Sequence, residues 1–380
     1  MRAVIVGGGI GGLCAALALR RAGWDVTVLE RAPRFGAVGA GITLMANALA
    51  GLDALGVGDE VRAQGRVEAP GGTRTSDGRW LARIDAGKLE AALGTAALGI
   101  HRATLHGILL AALPASTLIT NATVTVIEPG TGASGGPAAV VSSAGRCEAD
   151  LIVGADGIDS VIRRQLWPSI APPRYVGTTA WRGVTDGPWR GELSVAITWG
   201  PGTEFGIVPL GDGRVYWFAA TNAPEGTRAA DERAAVRAVV GDWHAPVSAL
   251  LDATTTVLHH DLRHLPQPLP TYVRGPVVLL GDAAHAMTPN LGQGAAQAIE
   301  DAVVLGDACS PTRPLAAALA DYDARRRPRS QSVARASYRI GRLGQQLTQP
   351  LLVAARNTAI RWTPPRLALR SMARYADWRP

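Results

Sequence analysis

The segment VIVGGGIGGLCAALALRRAGWDVTVLE, residues 4–30, decides the fold of this chain. Residues 4–6 read as a short apolar strand, and the glycine-rich turn 7–12 follows it. Residues 13–22 have helical spacing, and residues 25–29 read as a second strand. A strand, a glycine turn, a helix and a strand in this order predict the parallel βαβ unit of a Rossmann-like α/β fold.

The glycines of this turn follow the pattern G-x-G-x-x-G at Gly7, Gly9 and Gly12. In such a turn the first glycine permits the tight bend, the second lets the backbone approach a pyrophosphate, and the third lets helix and strand pack closely. Ile10 and Gly11 lie at the start of the helix, where free N–H groups and the dipole stabilise phosphate. The turn therefore predicts dinucleotide binding, and a purely structural glycine turn is the less favoured alternative.

Glu30 ends the second strand and is followed by Arg31. A carboxylate at this position of a βαβ unit accepts hydrogen bonds from the ribose diol of a bound dinucleotide. Together with the strand before the glycines and the helix after them, Glu30 strengthens the prediction of a dinucleotide site. The pattern does not distinguish FAD from NAD.

Two later segments each bring an aspartate from an apolar strand into a loop. DLIVGADGIDSVIRR, residues 150–164, places Asp156 and Gly157 directly after a strand. VVLLGDAAHAMTPNLGQGAAQAIE, residues 277–300, places Asp282 at the end of another strand. A carboxylate in this third segment can accept a hydrogen bond from a ribityl hydroxyl of a flavin nucleotide.

The third segment continues from Gly281 into the start of a helix. Pro289 precedes that helix, which opens with Gly292, Gly294 and Ala295. Its free N–H groups could face the pyrimidine edge of a flavin ring, where reduction places negative charge. The segment therefore favours FAD over NAD as the bound dinucleotide.

Apolar alternation and helical spacing describe the rest of the chain. Strands are predicted at 120–128, 137–153, 181–184, 193–199, 205–210, 215–221 and 277–280, and helices at 46–55, 85–98, 103–113 and from 291 onwards. We interpret this as a cofactor domain interrupted by a substrate domain on a mixed or antiparallel β-sheet, with a helical C-terminal tail. The cofactor domain is predicted at 1–70, 101–175 and 270–340, the substrate domain at 71–100 and 176–269, and the tail at 341–380.

The three segments, in this order, resemble the GxGxxG, DG and GD motifs of the FAD-dependent aromatic hydroxylases. These are the single-component class A flavoprotein monooxygenases of the para-hydroxybenzoate hydroxylase fold, and the resemblance spans residues 1–340. It implies that the cofactor domain is a Rossmann-like FAD-binding domain. It also implies that NADH or NADPH binds transiently, which agrees with the lack of a second fingerprint in the sequence.

The resemblance implies further site residues. Gly41 and Ile42, within the segment 39–42, match the stretch beneath the flavin, although Ala46 stands where the family has a proline before Asn47. Two more positions match cofactor contacts. These are Arg102, which matches an arginine near the FAD phosphates, and Val124, whose strand backbone would meet the adenine.

The implied reaction hydroxylates a small aromatic or heteroaromatic substrate. Reduced FAD reacts with O2 to form a C4a-hydroperoxide, which delivers one oxygen atom, while the protein excludes water and holds the substrate. Three alternatives stay open. The chain could be another flavoenzyme of this fold, such as an epoxidase, dehydrogenase or oxidase; a non-catalytic FAD-binding redox sensor; or an NAD-dependent Rossmann dehydrogenase.

Candidate catalytic residues are Arg182 and Tyr216, in the strands expected to face the flavin, together with Pro289. Candidate substrate contacts are Glu204, Phe205, Tyr216 and Trp217. Strand alternation allows only one of Tyr216 and Trp217 to face the pocket, and the resemblance favours Tyr216. A pocket-facing Glu204 would favour a cationic or hydrogen-bond-donating substrate over a carboxylate. Ordinary packing or a surface position is the alternative for each residue.

Composition limits the partners and the compartment. The chain has 380 residues, of which 47% are hydrophobic and 18% charged, and its net charge is +7. Basic residues are spread along the chain, which argues against nucleic-acid binding. Cys14, Cys147 and Cys309 lack metal-ligand spacing, which favours a reducing cytoplasm, and Cys14 is expected to be buried. The protein is expected to be a monomer or a homodimer.

Two further groups of polar residues, both histidines, receive structural interpretations. His285 belongs, by resemblance, to the structural turn of the GD motif rather than acting as a base. His259, His260 and His264 have no metal-ligand partner spacing and are expected in a loop or at the surface, and no metal site is predicted.

Arginine-rich stretches occur near the C-terminus. The run at 325–329 is interpreted as a solvated helix face interrupted by Pro328. The tail at 345–380 mixes apolar residues with arginines, so it could lie on an anionic membrane. Packing of the tail across both domains is the favoured interpretation.

Overall fold

The structure is a computed structural model that describes residues 1–36, 40–67, 71–84, 86–130, 137–193 and 195–380. The strands are β1 (Arg2–Val6), β2 (Asp25–Leu29), β3 (Gly41–Leu44), β4 (Arg66–Val67), β5 (Gly71–Thr75), β6 (Trp80–Ile84), β7 (Leu98–His101), β8 (Leu118–Ile119), β9 (Val124–Glu128), β10 (Ala138–Ser142), β11 (Gly145–Ala149), β12 (Leu151–Gly154), β13 (Arg174–Val184), β14 (Val195–Gly200), β15 (Thr203–Pro209), β16 (Val215–Asn222), β17 (Val257–His264), β18 (Val273–Arg274) and β19 (Val277–Leu279). The α-helices are α1 (Ile10–Arg21), α2 (Ala46–Ala54), α3 (Gly58–Gln64), α4 (Ala86–Leu93), α5 (Arg102–Ala111), α6 (Val161–Leu166), α7 (Glu232–Val240), α8 (Val247–Asp252), α9 (Asp282–His285), α10 (Gly294–Ala308), α11 (Leu315–Leu343), α12 (Pro350–Trp362) and α13 (Pro365–Ala376).

The first sheet carries the three motif segments on neighbouring strands. Its order is β18-β19-β12-β1-β2-β8, and β19, β12, β1, β2 and β8 run parallel. The strands are apolar because both faces are covered: α1 packs beside α10 on the sheet, and Cys14 in α1 is fully buried, as expected. The carboxyl ends of β1, β12 and β19 therefore lie side by side at one edge. This confirms the predicted α/β, Rossmann-like fold.

The second sheet is the mixed sheet expected for the substrate domain. Its order is β17-β13-β16-β15-β14-β5-β6, with antiparallel pairs throughout except the parallel pair β14–β5. One face is covered by α7 and α8, whose Val236 and Leu250 pack on Trp181. The other face is approached by β3 from the first part of the molecule. The face opposite α7 and α8 is therefore the candidate substrate face of the sheet.

Two small antiparallel sheets connect these units. The meander β9–β10–β11 has the predicted position, while the sheet β3-β7-β4 corrects the predicted helix at 85–98. That helix ends at Leu93, because Gly94 has a positive φ of 79°. The apolar residues Leu98 and Ile100 then pair with β3 as a strand. The segment 39–42 lies in this sheet from Gly41 onwards, whereas Gly39 lies outside the described residues.

The domain division remains a proposal, which the sheet membership supports for most of the chain. β5 and β6 join the second sheet, in agreement with the assignment of 71–100, but β7 pairs with β3 instead. In the tail, α12 packs against β6, and α13 packs against α2 and α4, so the tail contacts both units. Among the described residues, no helix is long and apolar enough to cross a membrane.

The histidines at 259–264 are not in a loop, contrary to the sequence interpretation. They belong to β17, where His259 is buried and stacks on Trp181 at a ring distance of 4.5 Å. His259 also lies 2.5 Å from the hydroxyl of Thr179 and 2.8 Å from the carboxylate of Glu232. Because the strand pairs these residues with β13, the burial of the His259 side chain depends on partners far away in the sequence, whereas His260 is exposed, in agreement with the predicted surface position.

Candidate functional site

The glycines at the end of β1 have different structural requirements. A Cβ on Gly7 would overlap the carbonyl oxygen of Ala155, and a Cβ on Gly12 would overlap the carbonyl oxygen of Gly7. Gly7 also has a positive φ of 107°. A Cβ on Gly9, in contrast, would meet no atom of the described residues within 4 Å. The chain itself thus requires Gly7 and Gly12, while the open space at Gly9 suits a closely approaching ligand.

Two helix N-termini at this edge have no capping side chain. α1 begins after Gly9 and α10 begins after Gln293, and neither helix has an acidic residue in its first turn. Uncapped N–H groups at a helix start attract anionic groups. Ile10 starts α1, whereas a Cβ on Gly11 would lie 2.9 Å from Leu280, so Gly11 serves the packing of the helix. These ends suit a pyrophosphate at α1 and the flavin pyrimidine edge at α10.

Glu30 lies beside the glycine turn. Its carboxylate accepts hydrogen bonds from the backbone N–H groups of Gly8 and Ala32, both at 2.8 Å. The carbonyl oxygen of Glu30 accepts the N–H of Ala122, which brings Val124 and the start of β9 to the same corner. Arg31 is exposed. The arrangement brings the predicted ribose and adenine contacts together.

His106 was not predicted to belong to this corner. Its Nε2 lies 2.7 Å from the carbonyl oxygen of Gly8, and the side chain is buried on α5. Its spacing on α5 indicated only a helical position, because the partner lies 98 residues earlier in the chain. His106 fixes the glycine turn against α5.

The second segment holds one carboxylate oxygen without a protein partner. Asp156 Oδ2 accepts the backbone N–H groups of Val161 at 2.7 Å and Ile162 at 3.2 Å, while the buried Oδ1 has no hydrogen bond among the described residues. Gly157 follows with a positive φ of 79° and open space around it. A buried acceptor without a partner is costly unless a ligand supplies the donor. Asp156 therefore suits a hydroxyl of the bound nucleotide.

Arg163 joins the second and third segments. The buried guanidinium donates hydrogen bonds to the carbonyl oxygens of Ala283, at 2.8 Å, and of Ile158. Burial is the main influence on its pKa, which lies below the usual range for arginine. No role for Arg163 was predicted, because only the folded chain brings these carbonyl groups to one place.

The third segment is fixed by a buried aspartate. Asp301 accepts the backbone N–H of Gly281 at 2.9 Å and lies 2.6 Å from His285 Nε2. Burial acts to raise the pKa of Asp301, but the charges of His285 and Arg326 outweigh it and hold the pKa at about 2. His285 is thus part of the structural turn, whereas Asp282 is exposed at the edge of the sheet. That exposed carboxylate suits a ribityl hydroxyl.

The arginine run at 325–329 is solvated only in part, which corrects the sequence interpretation, because Arg325 is exposed but Arg326 and Arg329 turn inward. Arg326 is fully buried and donates to Glu300 at 2.6 Å and to Asp301 at 2.7 Å, and Arg329 donates to Glu300 at 2.6 Å. Pro328 lies within α11 without ending it. The run contacts α10 because every fourth residue of the helix turns inward.

The same carboxylate network reaches the stretch expected beneath the flavin. Asn47 donates to Glu300 at 2.7 Å and to Gln293 at 2.8 Å. Asn47 lies in α2, and β3, which contains the half-buried Ile42, leads into that helix. On the facing segment the exposed Pro289 opens a single 3-10 turn, which is followed by Gly292, Gly294 and half-buried Ala295. The predicted flavin contacts from both segments therefore lie together around the start of α10.

The substrate face of the second sheet carries Arg182, Tyr216 and Phe218. Arg182 pairs with Phe218, and Tyr216 lies two residues earlier on β16, so all three side chains share one face. Tyr216 packs directly on Gly41 of β3, where a Cβ would overlap its ring. Burial raises the pKa of the Tyr216 hydroxyl, and the nearby Arg182 and Arg102 guanidinium groups oppose that rise. Phe218 was missed because its alternation with Tyr216 was not followed further along the strand.

Glu204 shares this face. It pairs with Ala220, four residues along β16 from Tyr216, and only 6% of its surface is exposed. Its one hydrogen-bond partner among the described residues is Trp199, whose Nε1 donates at 3.1 Å. Burial raises the pKa of Glu204 to about 7, and the hydrogen bond from Trp199 opposes that rise. Near neutral pH the carboxyl group can therefore be either a donor or an acceptor.

Phe205 and Trp217 lie on the opposite face, which corrects their prediction as substrate contacts. Both are fully buried beneath α7 and α8, and their rings stack 5.7 Å apart. Trp217 Nε1 donates to the hydroxyl of Thr254 at 2.9 Å. Strand alternation turns them away because Glu204 and Tyr216 face the other side.

Together these residues line the carboxyl edge of the first sheet, where an extended flavin dinucleotide would fit, and the candidate substrate face lies on the second sheet. The family model described as FAD binding domain matches residues 1–337. The chain therefore belongs to this FAD-binding family, as the resemblance of its motifs implied.

Individual relatives agree with this assignment. Aurachin C monooxygenase/isomerase of Stigmatella aurantiaca is 40% identical over 348 residues, covering 90% of this chain and 89% of that protein. The 2-heptyl-3-hydroxy-4(1H)-quinolone synthase of Pseudomonas aeruginosa is 33% identical, covering 96% and 94%. The structure of Klebsiella pneumoniae HpxO with FAD and uric acid has a TM-score of 0.91 at 27% identity, covering 99% and 96%. The protein is an FAD-dependent oxidoreductase of the monooxygenase class.

Proposed function

We propose that the protein uses NADH or NADPH and O2 to hydroxylate a small aromatic or heteroaromatic substrate. The observation that carries this proposal is the position of Arg182, Tyr216 and Phe218 on the sheet face that meets β3, because β3 leads into α2, which packs against α10. When bound, FAD supplies the redox chemistry that activates dioxygen and transfers one oxygen atom.

The residues of the chain bind and orient the substrate. Phe218 and Tyr216 offer aromatic surfaces, with ring centroids 6.1 Å apart. Because burial raises the pKa of Tyr216, its hydroxyl stays protonated near neutral pH and can donate a hydrogen bond to a substrate oxygen. Arg182 adds a positive charge beside it, which favours a phenolate or carbonyl oxygen at this end. Both residues, with Pro289 near the ring, are the proposed catalytic contacts.

Glu204 provides a second polar contact for the proposed substrate. A buried carboxyl group that has Trp199 as its one hydrogen-bond partner in the described part of the chain has remaining acceptor capacity, which suits a ring N–H or an amino group. It disfavours a substrate carboxylate, because two buried carboxylates repel each other. The compounds named for two relatives, a 4(1H)-quinolone and uric acid, both contain ring N–H groups. A heteroaromatic lactam or aminophenol is the proposed substrate class.

The decisive experiment measures coupled turnover. FAD-loaded protein is mixed with NADH or NADPH and a panel of aromatic lactams, aminophenols and benzoates, and oxygen uptake and products are followed. We expect the lactams or aminophenols to accelerate NAD(P)H oxidation and to gain one oxygen atom from labelled O2. Turnover that continues without O2, or product oxygen that comes from water, contradicts the proposal.

A matched pair of tyrosine variants ties the activity to the site. Tyr216→Phe removes a hydroxyl at the substrate face, and kcat/KM should fall on the order of 10²-fold, the loss typical of one missing hydrogen-bond donor. Tyr175→Phe is the control, since the Tyr175 hydroxyl donates to the carbonyl oxygen of Ala223 away from this face. Equal losses in both variants would count against a role for Tyr216 in the reaction.

A further inference from the structure

The helix α12 exposes large hydrophobic side chains on its outward face. Leu351, Leu352 and Trp362 are 84%, 47% and 79% exposed, and the intervening outward positions are Ala354, Ala355, Thr358, Ala359 and Arg361. We call these residues the α12 outer face. Leu343 and Leu367 are also exposed, so five of the eight exposed large hydrophobic side chains in the described residues lie between 343 and 367. Such a concentration marks an interaction surface.

The inward side of α12 is firmly attached to the substrate domain. Arg356 is 8% exposed, lies 5.2 Å from the ring of Trp199 and donates to the carbonyl oxygen of Gly344 at 2.7 Å. Trp199 in turn donates to Glu204. The outer face is therefore held in a fixed orientation on the molecule, rather than belonging to a loosely attached tail.

The charge around this face is strongly positive. Residues 341–380 contain seven arginines and one acidic residue, Asp377, so the tail carries +6 of the net charge of +7. Arg361 lies on the outer face itself, and Arg370 and Arg374 are exposed on α13. The remaining nine-tenths of the chain is thus almost neutral. A cationic surface with an apolar centre is complementary to an anionic partner.

We propose that the α12 outer face docks on an anionic lipid surface. Leu351 and Trp362 would enter the boundary between headgroups and acyl chains, where aromatic and aliphatic side chains are favoured, while the tail arginines bind lipid phosphates. A second copy of the chain fits less well, because a two-fold interface would place each cationic face against itself. Attachment in the membrane plane agrees with the short length of α12, which has 13 residues.

Vesicle co-sedimentation of the full FAD-loaded chain tests this proposal. The protein is mixed with phosphatidylglycerol-containing vesicles or with pure phosphatidylcholine vesicles at low and high salt. We expect binding to the anionic vesicles that weakens with salt. The Leu351→Ser/Trp362→Ser double variant should bind at least tenfold more weakly, and Arg361→Gln about fivefold more weakly.

Two controls distinguish vesicle binding through the α12 outer face from nonspecific binding. Val126→Ser changes a side chain that is 42% exposed on β9, far from the tail in the sequence, and should leave vesicle binding unchanged. Oligomeric state is measured by light scattering on the same variants. The proposal is overturned if the wild type does not bind anionic vesicles, if the double variant binds equally well, or if the double substitution instead dissociates a dimer.

Discussion

At the scale of the residue, Glu204 makes the stability of the fold depend on pH. Burial raises its pKa from 4.5 to about 7, so the folded state holds a proton that the unfolded state loses more easily. This contribution to stability is fully present below about pH 4.5 and is lost as the pH rises through about 7. Glu204→Gln keeps an acceptor for Trp199 but cannot ionise. As the pH rises from about 4.5 to above 7, the wild type loses this contribution and the variant does not. The free energy of unfolding of the variant, relative to that of wild type, should therefore increase by about 3 kcal/mol over this range.

The measurement is denaturant unfolding of both proteins at about pH 4.5 and about pH 8. The informative quantity is how the difference between the two free energies of unfolding changes with pH, because all other groups titrate equally in both proteins. Glu225→Gln, at an exposed position, controls for the exchange of a carboxylate for an amide. A difference between Glu204→Gln and wild type that stays constant across this range would show that Glu204 is not held protonated by the fold.

At the scale of the element, α11 is fixed to α10 by one buried arginine. Arg326→Met removes the cation between Glu300 and Asp301 and leaves these two buried carboxylates with only Arg329 and His285 as charged partners. The free energy of unfolding should fall by about 3–5 kcal/mol. Arg325→Met is the matched control one residue away, because Arg325 pairs with the exposed Asp307 and should cost at most about 1 kcal/mol. Similar losses from the two substitutions in urea unfolding would refute the structural role of Arg326.

The same helix shows what the sequence could and could not predict. The βαβ unit and the strands before Asp156 and Asp282 were predictable, because their signals are local: apolar runs, glycine turns and aspartates at strand ends. The burial of Arg326 was not, because its partners lie 25 and 26 residues away on another helix. Helical spacing alone also extended the helix through 85–98, whereas Gly94 ends it and pairing with β3 turns the next residues into a strand.

The alternation of side chains within a strand was predictable. Which side chains of neighbouring strands share a face, however, depends on the register of strand pairing. The period of two required that only one of Tyr216 and Trp217 face the pocket, the resemblance favoured Tyr216, and the structure places Tyr216 on the face opposite α7 and α8. Placing Phe205 beside Glu204 as a substrate contact ignored the same rule. Phe218 follows from the same alternation, two residues after Tyr216, whereas His106 emerges only from a contact 98 residues away, which no local pattern encodes.

At the scale of the whole molecule, an FAD would connect segments that the chain keeps far apart. It would reach from Glu30 at β2, past the start of α1, to the start of α10. A ligand that binds only the folded state stabilises all of these segments together, by about 2.7 kcal/mol at a hundredfold excess over its dissociation constant. The apparent Tm of the whole chain should therefore report FAD binding.

Two glycines separate this effect of the ligand from the needs of the fold. Gly9→Val adds a side chain where no protein atom lies within 4 Å, at an ordinary negative φ of −75°, so the protein without FAD should keep its Tm. The same side chain would occupy the space of the pyrophosphate, so the rise in Tm on adding FAD should disappear. Gly12→Val overlaps the carbonyl oxygen of Gly7 and should lower the Tm even without FAD. A Gly9→Val protein that still gains the full FAD-dependent rise would mean that the phosphates bind elsewhere than at the start of α1.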